Sequence, residues 1–204
     1  VGILIFIAFG LPTANEEVGP LVYTYSFTSA ALFQAVLFIV VAAIIAYIYS
    51  AAEWRDTFGF RRFKWRDLRL AAVVTFGSLV AGAVFEVFLE AGDRQGIAAD
   101  TWDGSRAIPF AINALLIVLL GPFVEELFFR GVGVRVLSVF GGTAAILATG
   151  ILFALVHGIW EALPALAIFG IGAGYVRYRA NSVYPAFIAH ACFNAVGLAV
   201  SLAA

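Results

Sequence analysis

The chain has 204 residues, of which 63% are hydrophobic and 12% charged, and its net charge is −1. A soluble domain carries roughly 25% charged residues, so an ordinary soluble fold is excluded, and no basic surface exists for nucleic acid. The single cysteine, Cys192, excludes an internal disulfide and a multi-cysteine metal site. Long apolar stretches recur from end to end, without the polar–apolar alternation of a β-barrel. The fold class expected is therefore all-α: a polytopic transmembrane helical bundle of about seven membrane segments.

The first apolar stretch, "VGILIFIAFGL" at residues 1–11, is too short to span a bilayer and reads as the tail of a truncated first transmembrane helix in preference to that of a signal-like segment. The segments that follow are 21–50, 70–91, 107–135, 143–158, 163–178 and 183–203. They are separated by "PTANEEVGP", a charged block at 51–69, "GDRQGIAADTWDGSR", the Gly141–Gly142 pair and "RYRANS". No internal repeat or low-complexity linker interrupts them, so residues 1–204 read as one membrane domain.

Basic residues orient the bundle. Arg55, Arg61, Arg62, Lys64, Arg66, Arg69, Arg135, Arg177 and Arg179 fall on one side, and only Arg94 and Arg106 on the other. The positive-inside rule then assigns loops 51–69, 136–142 and 177–182 to the cytoplasm. The 51–69 block also carries Trp54, Phe58, Phe60, Phe63 and Trp65, and reads as an amphipathic segment in the membrane interface.

Ionisable side chains inside a membrane segment are costly and are functional candidates by default. Here they are Glu125, Glu126 and Arg130 in the fourth segment, His157 in the fifth, and His190 with Asn194 in the seventh. Glu126 and Arg130 are four residues apart and can pair on one helix face. Glu125 is turned about 100° away and is left for chemistry. His190 and Asn194 share a face, as do Phe153 and His157. Bland readings exist for each: a structural ion pair, a buried acid, histidines bonded to carbonyls. Cys192 reads as a small core residue.

Depth counted at about 1.5 Å per residue puts Glu125 roughly 15 Å and His190 roughly 12–16 Å from the cytoplasmic ends of their segments. His157 comes out near 22 Å, too deep to meet them in a bundle of upright helices. The short fifth segment suggests that "HGIWEALP" dips into the membrane.

The motifs "EELFFR", "FALVH" and "HACFN" match E-E-x-x-x-R, F-x-x-x-H and H-x-x-x-N, in that order, each on its own apolar helix. Over about residues 107–200 the chain resembles the CPBP family of intramembrane endopeptidases. That family includes the type II CAAX prenyl endopeptidases and the Abi bacteriocin-processing and immunity proteins. The resemblance implies a hydrolase in which Glu125 activates a water, His157 holds that water, and His190 with Asn194 stabilises the oxyanion. Glu126, Arg130 and Phe153 would support them. The substrate would be a peptide or membrane protein, prenylated or otherwise membrane-associated.

A divalent metal such as zinc could be held by Glu125, His157 and His190, whereas a metal-free, glutamate-based site explains the same residues and is preferred. Two other readings compete with the peptidase: a non-catalytic immunity or scaffold protein, and a proton-coupled transporter. A transporter should carry an inverted repeat, which the sequence lacks.

Overall fold

The protein was analysed as a computed structural model in which residues 35–45, 47–48, 54–89 and 107–203 are described. Regular structure among these residues is helical throughout. In chain order it comprises α1 (Ala35–Ile45), α2 (Trp54–Phe58), α3 (Trp65–Leu89), a long rod α4, then α5 (Gly142–His157), α6 (Leu163–Ala180) and α7 (Val183–Ala203). The rod α4 runs through Ala107–Leu115, a π-helical stretch Leu116–Leu120, Gly121–Glu126, a second π-helical stretch Leu127–Gly133, and Val134–Leu137. Residues 1–34 and 90–106 lie outside the described residues, and with them the expected 1–11 segment and most of 21–50.

The surface identifies the solvent. Long apolar windows of α3 and α7 are only 11% and 28% buried, so neither helix is the core of a soluble protein. Val73, Phe76, Val80, Val84 and Val87 point outward from α3, while Glu126, Arg130 and His190 are buried. Polar groups inside and apolar groups outside are the arrangement lipid requires, because the helix satisfies its own backbone where water is absent. The all-α membrane bundle read from the sequence is the fold observed.

Several boundaries differ from those expected. The third segment begins at Trp65 rather than at residue 70, because Asp67 accepts a hydrogen bond from the Lys64 backbone N–H at 2.7 Å and caps the helix three residues into its first turn. The 51–69 block is thus not one amphipathic segment. Its described part, residues 54–69, is the short α2, a turn through Gly59, and the start of α3. The 177–182 loop is likewise mostly helix: α6 continues to Ala180, and Arg177 is buried. Residues 136–142 are the end of α4, a 3-10 turn at Ser138–Phe140, and the start of α5. Cys192 is exposed rather than in the core.

At this end of the bundle, Gly59 takes φ +75°, and Arg177 lies so close that a Cβ there would sit 2.5 Å from its Nη2. The Val183 N–H donates to the Gly59 carbonyl at 2.9 Å, and the Ser182 hydroxyl donates to the Arg61 carbonyl at 2.7 Å. These bonds fasten the start of α7 to the turn before α3.

The tightest helix seam joins α5 and α6. A Cβ on Gly170 would lie 2.5 Å from the Gly150 carbonyl oxygen, and one on Gly150 would lie 2.6 Å from the Ile171 nitrogen. Small residues permit this backbone contact in lipid. Gly170→Ala is therefore expected to destabilise the protein by about 1–3 kcal/mol, since the helices must separate to admit the methyl. Gly77→Ala, where nothing lies within 4 Å, should be neutral. Thermal unfolding of the two variants in detergent checks the difference.

Candidate active site

The fourth segment holds its acid residues on a distorted rod. Gly121 donates its N–H to the Leu116 carbonyl, the five-residue step of a π-turn. In that register the next carbonyl, Ile117, faces Pro122, which has no N–H. Asn194 of α7 fills the vacancy: its Nδ2 donates to the Ile117 oxygen at 2.8 Å. The asparagine thus satisfies a carbonyl orphaned by a proline, a role its spacing from His190 did not reveal. Pro122 within the apolar run was the available signal.

One turn on, Glu126 and Arg130 are fully buried, with Arg130 Nη1 2.9 Å from Glu126 Oε1. The pair expected from the spacing is present. It is also larger than a pair. Arg130 Nη2 donates to the Gly170 carbonyl of α6 at 3.0 Å, and the guanidinium lies 4.4 Å over the ring of Phe153 in α5. Glu126 Oε1 also lies 2.9 Å from His190 Nδ1 in α7. One arginine and one glutamate therefore tie α4, α5, α6 and α7 together.

That hydrogen bond constrains the imidazole. A glutamate already paired with arginine is an acceptor, so His190 donates through Nδ1 and turns Nε2 the other way. His190 Nε2 lies 3.9 Å from Glu125 Oε2. His190 thus stands between the two glutamates, bound by one and facing the other.

His157 reaches the same carboxylate: its Nε2 is 3.9 Å from Glu125 Oε2. Its Nδ1 lies 2.7 Å from the Phe153 carbonyl, which can only accept, so Nδ1 carries the hydrogen and Nε2 is free. His157 is the last residue of α5, which Gly158 terminates in the left-handed conformation at φ 68°. Pro164 lies in the first turn of α6, leaving a short connection. The meeting of His157 with Glu125 removes the depth mismatch expected from residue counting.

Phe153 is the packing centre of this site. Its ring centroid lies 4.6 Å from that of His157, 5.3 Å from His190, 5.5 Å from Phe129 and 5.8 Å from Phe169. It is 1% exposed, so it fixes both imidazoles against one another through contact rather than hydrogen bonding. The side chains of Glu125 and His157 are 15% and 25% exposed against 3% for His190, so the site opens along His157.

Glu125, His157 and His190 are therefore brought together, with Glu126, Arg130 and Phe153 behind them. Asn194 is not: among the described residues its amide is engaged by Ile117, with no hydrogen bond to any of the three. The separations also bear on a metal. Two ligands of a tetrahedral zinc at about 2.1 Å stand roughly 3.4 Å apart, and the Glu125–histidine separations of 3.9 Å are wider. Among the described residues no group of three or more His, Cys, Asp or Glu is arranged to hold a metal ion.

A family model described as type II CAAX prenyl endopeptidase Rce1-like matches residues 107–196. No curated protein and no solved structure matches the chain. The matched residues begin with α4 and end within α7, so they include every element that supplies the site. Over this segment the chain is similar to the Rce1-like type II CAAX prenyl endopeptidases.

Proposed function

We propose that the protein is an intramembrane endopeptidase that hydrolyses its substrate with a water activated by Glu125, without a metal. The observation that carries this reading is the convergence of Glu125 Oε2 with the Nε2 atoms of His157 and His190, each 3.9 Å away. Two acceptors at that separation are bridged by a water at about 2.8 Å from each. His157, with its hydrogen committed to the Phe153 carbonyl, accepts from such a water and aims the oxygen lone pair outward.

In the reaction, the water oxygen attacks the scissile carbonyl carbon and Glu125 takes the proton released. The carbonyl oxygen becomes the oxyanion, and the Glu125 proton then passes to the leaving amide nitrogen as the C–N bond breaks. His190, held through Nδ1 by Glu126, turns Nε2 toward the reacting carbonyl, and an N–H at that nitrogen is the donor to the oxyanion in a water-poor site. Asn194 Nδ2 gives one hydrogen to the Ile117 carbonyl and has a second that can serve the oxyanion. Substrates consistent with the family are prenylated or other membrane-associated peptides that reach the site along the bilayer.

The test is cleavage by purified protein in detergent of a panel of prenylated and unprenylated peptides, with and without chelator. Glu125→Gln should lower turnover by about 10²–10⁴-fold, the usual loss of a general base, with unchanged thermal stability. Chelator should leave the wild-type rate intact. Full activity of Glu125→Gln contradicts the mechanism.

Asn194 has its own test. Asn194→Leu strands the Ile117 carbonyl and should cost about 1–3 kcal/mol. Adding Pro122→Ala restores an N–H opposite that carbonyl and should return most of the stability. If the double variant regains stability but not turnover, Asn194 serves the oxyanion; recovery of both reduces it to a structural residue.

A further inference from the structure

An open groove of about 810 Å³ runs along the lipid-facing seam of α5 and α6. Its size falls within the roughly 300–1,000 Å³ of small-molecule sites. It lies on the other side of α6 from the buried Phe169, Ala173 and Val176, and so away from Glu125 and the histidines. Ile146, Leu147, Ile168 and Ile171 form its apolar length. Gly142 and Gly172 also line it, and their missing side chains let Tyr178 and Val74 pack close against the backbone.

The two ends of the groove differ chemically. The end formed by the start of α5 and the last turn of α6 carries Tyr178 and Arg179. Arg179 is the one charged residue of the lining and is exposed. Among the described residues its guanidinium has no ion-pair or hydrogen-bond partner. This end belongs to the same membrane boundary as Arg135 and the basic block before α3. Its occupant must therefore be long and apolar over most of its length and negative at one end, with the negative end at the membrane surface.

We propose that this groove is a binding site for an anionic phospholipid, with one acyl chain laid along the α5–α6 seam and the headgroup phosphate on Arg179. Charge complementarity favours this occupant over an uncharged isoprenoid chain, which would leave the arginine without a partner. A bound lipid here lies against the same helix pair that carries Phe153, His157 and Gly170. The inference does not rest on the peptidase mechanism.

The protein is reconstituted into phosphatidylcholine vesicles, and association of chain-labelled phosphatidylglycerol is compared with that of chain-labelled phosphatidylcholine. One interfacial arginine is worth about a fivefold preference, so roughly fivefold selectivity for phosphatidylglycerol is expected. Arg179→Gln should abolish the selectivity and Arg179→Lys should retain it. Leu147→Trp, which fills the apolar length, should lower association of both lipids while unfolding at the wild-type temperature. Equal association of the two lipids with wild type overturns the proposal, as does selectivity that survives Arg179→Gln. Displacement of the label by a farnesylated peptide but not by unlabelled phosphatidylglycerol also overturns it and gives the groove to a substrate anchor.

Discussion

The buried contact between Glu126 and Arg130 is the constraint on which the rest of this structure depends. Neither charge could stand alone at this depth, where removing one partner of a buried pair costs about 3–5 kcal/mol. Each partner is used more than once. Arg130 reaches the Phe153 ring and the Gly170 carbonyl, and Glu126 holds His190. The pair therefore fixes the relative placement of four helices and the direction in which one imidazole faces. The α5–α6 seam depends on the same contact from the other side. Only with the Gly150 and Gly170 backbones touching does the Gly170 carbonyl come within 3.0 Å of the guanidinium.

The rod α4 shows how a membrane helix accommodates groups that would break it in water. Two π-helical stretches flank Gly121–Glu126, the piece that holds both glutamates. The first makes Ile117 the carbonyl without a partner, and Asn194 supplies one. In lipid no water can take that place. Departures from α geometry of this kind recur at functional sites, and here they bracket the two acids. One acid is consumed by structure, and the other is left facing two imidazole nitrogens.

Much of this was legible in the sequence, and the reasons differ by residue. Spacing alone paired Glu126 with Arg130 and separated Glu125 from both, because a helix converts residue number into direction. Apolar runs placed the later helices to within a few residues. Helix spacing could not tell that Glu126 also binds His190, since that contact crosses 64 positions in the chain. Nor could it separate His190 from Asn194, which share a face but bond to different parts of α4. The early start of α3 lay hidden in a charged block that read as loop, where Asp67 acts as a cap. Arg177 read as a topology signal; in the fold it is buried against Gly59.

The central claim is that Glu126 holds His190 by Nδ1 so that Nε2 faces Glu125. The chain contains two histidines, so nitrogen-15 labelling of histidine yields four ring nitrogens to observe by magnetic resonance. The measurement is the protonation of the His190 nitrogens in wild type and in Glu126→Gln, with His157→Gln to assign the signals. The account predicts a hydrogen-bonded Nδ1–H on His190 that is perturbed in Glu126→Gln while His157 keeps its own Nδ1–H. A His190 whose Nδ1 carries no hydrogen in the wild type, or whose signals ignore the Glu126 substitution, would contradict it.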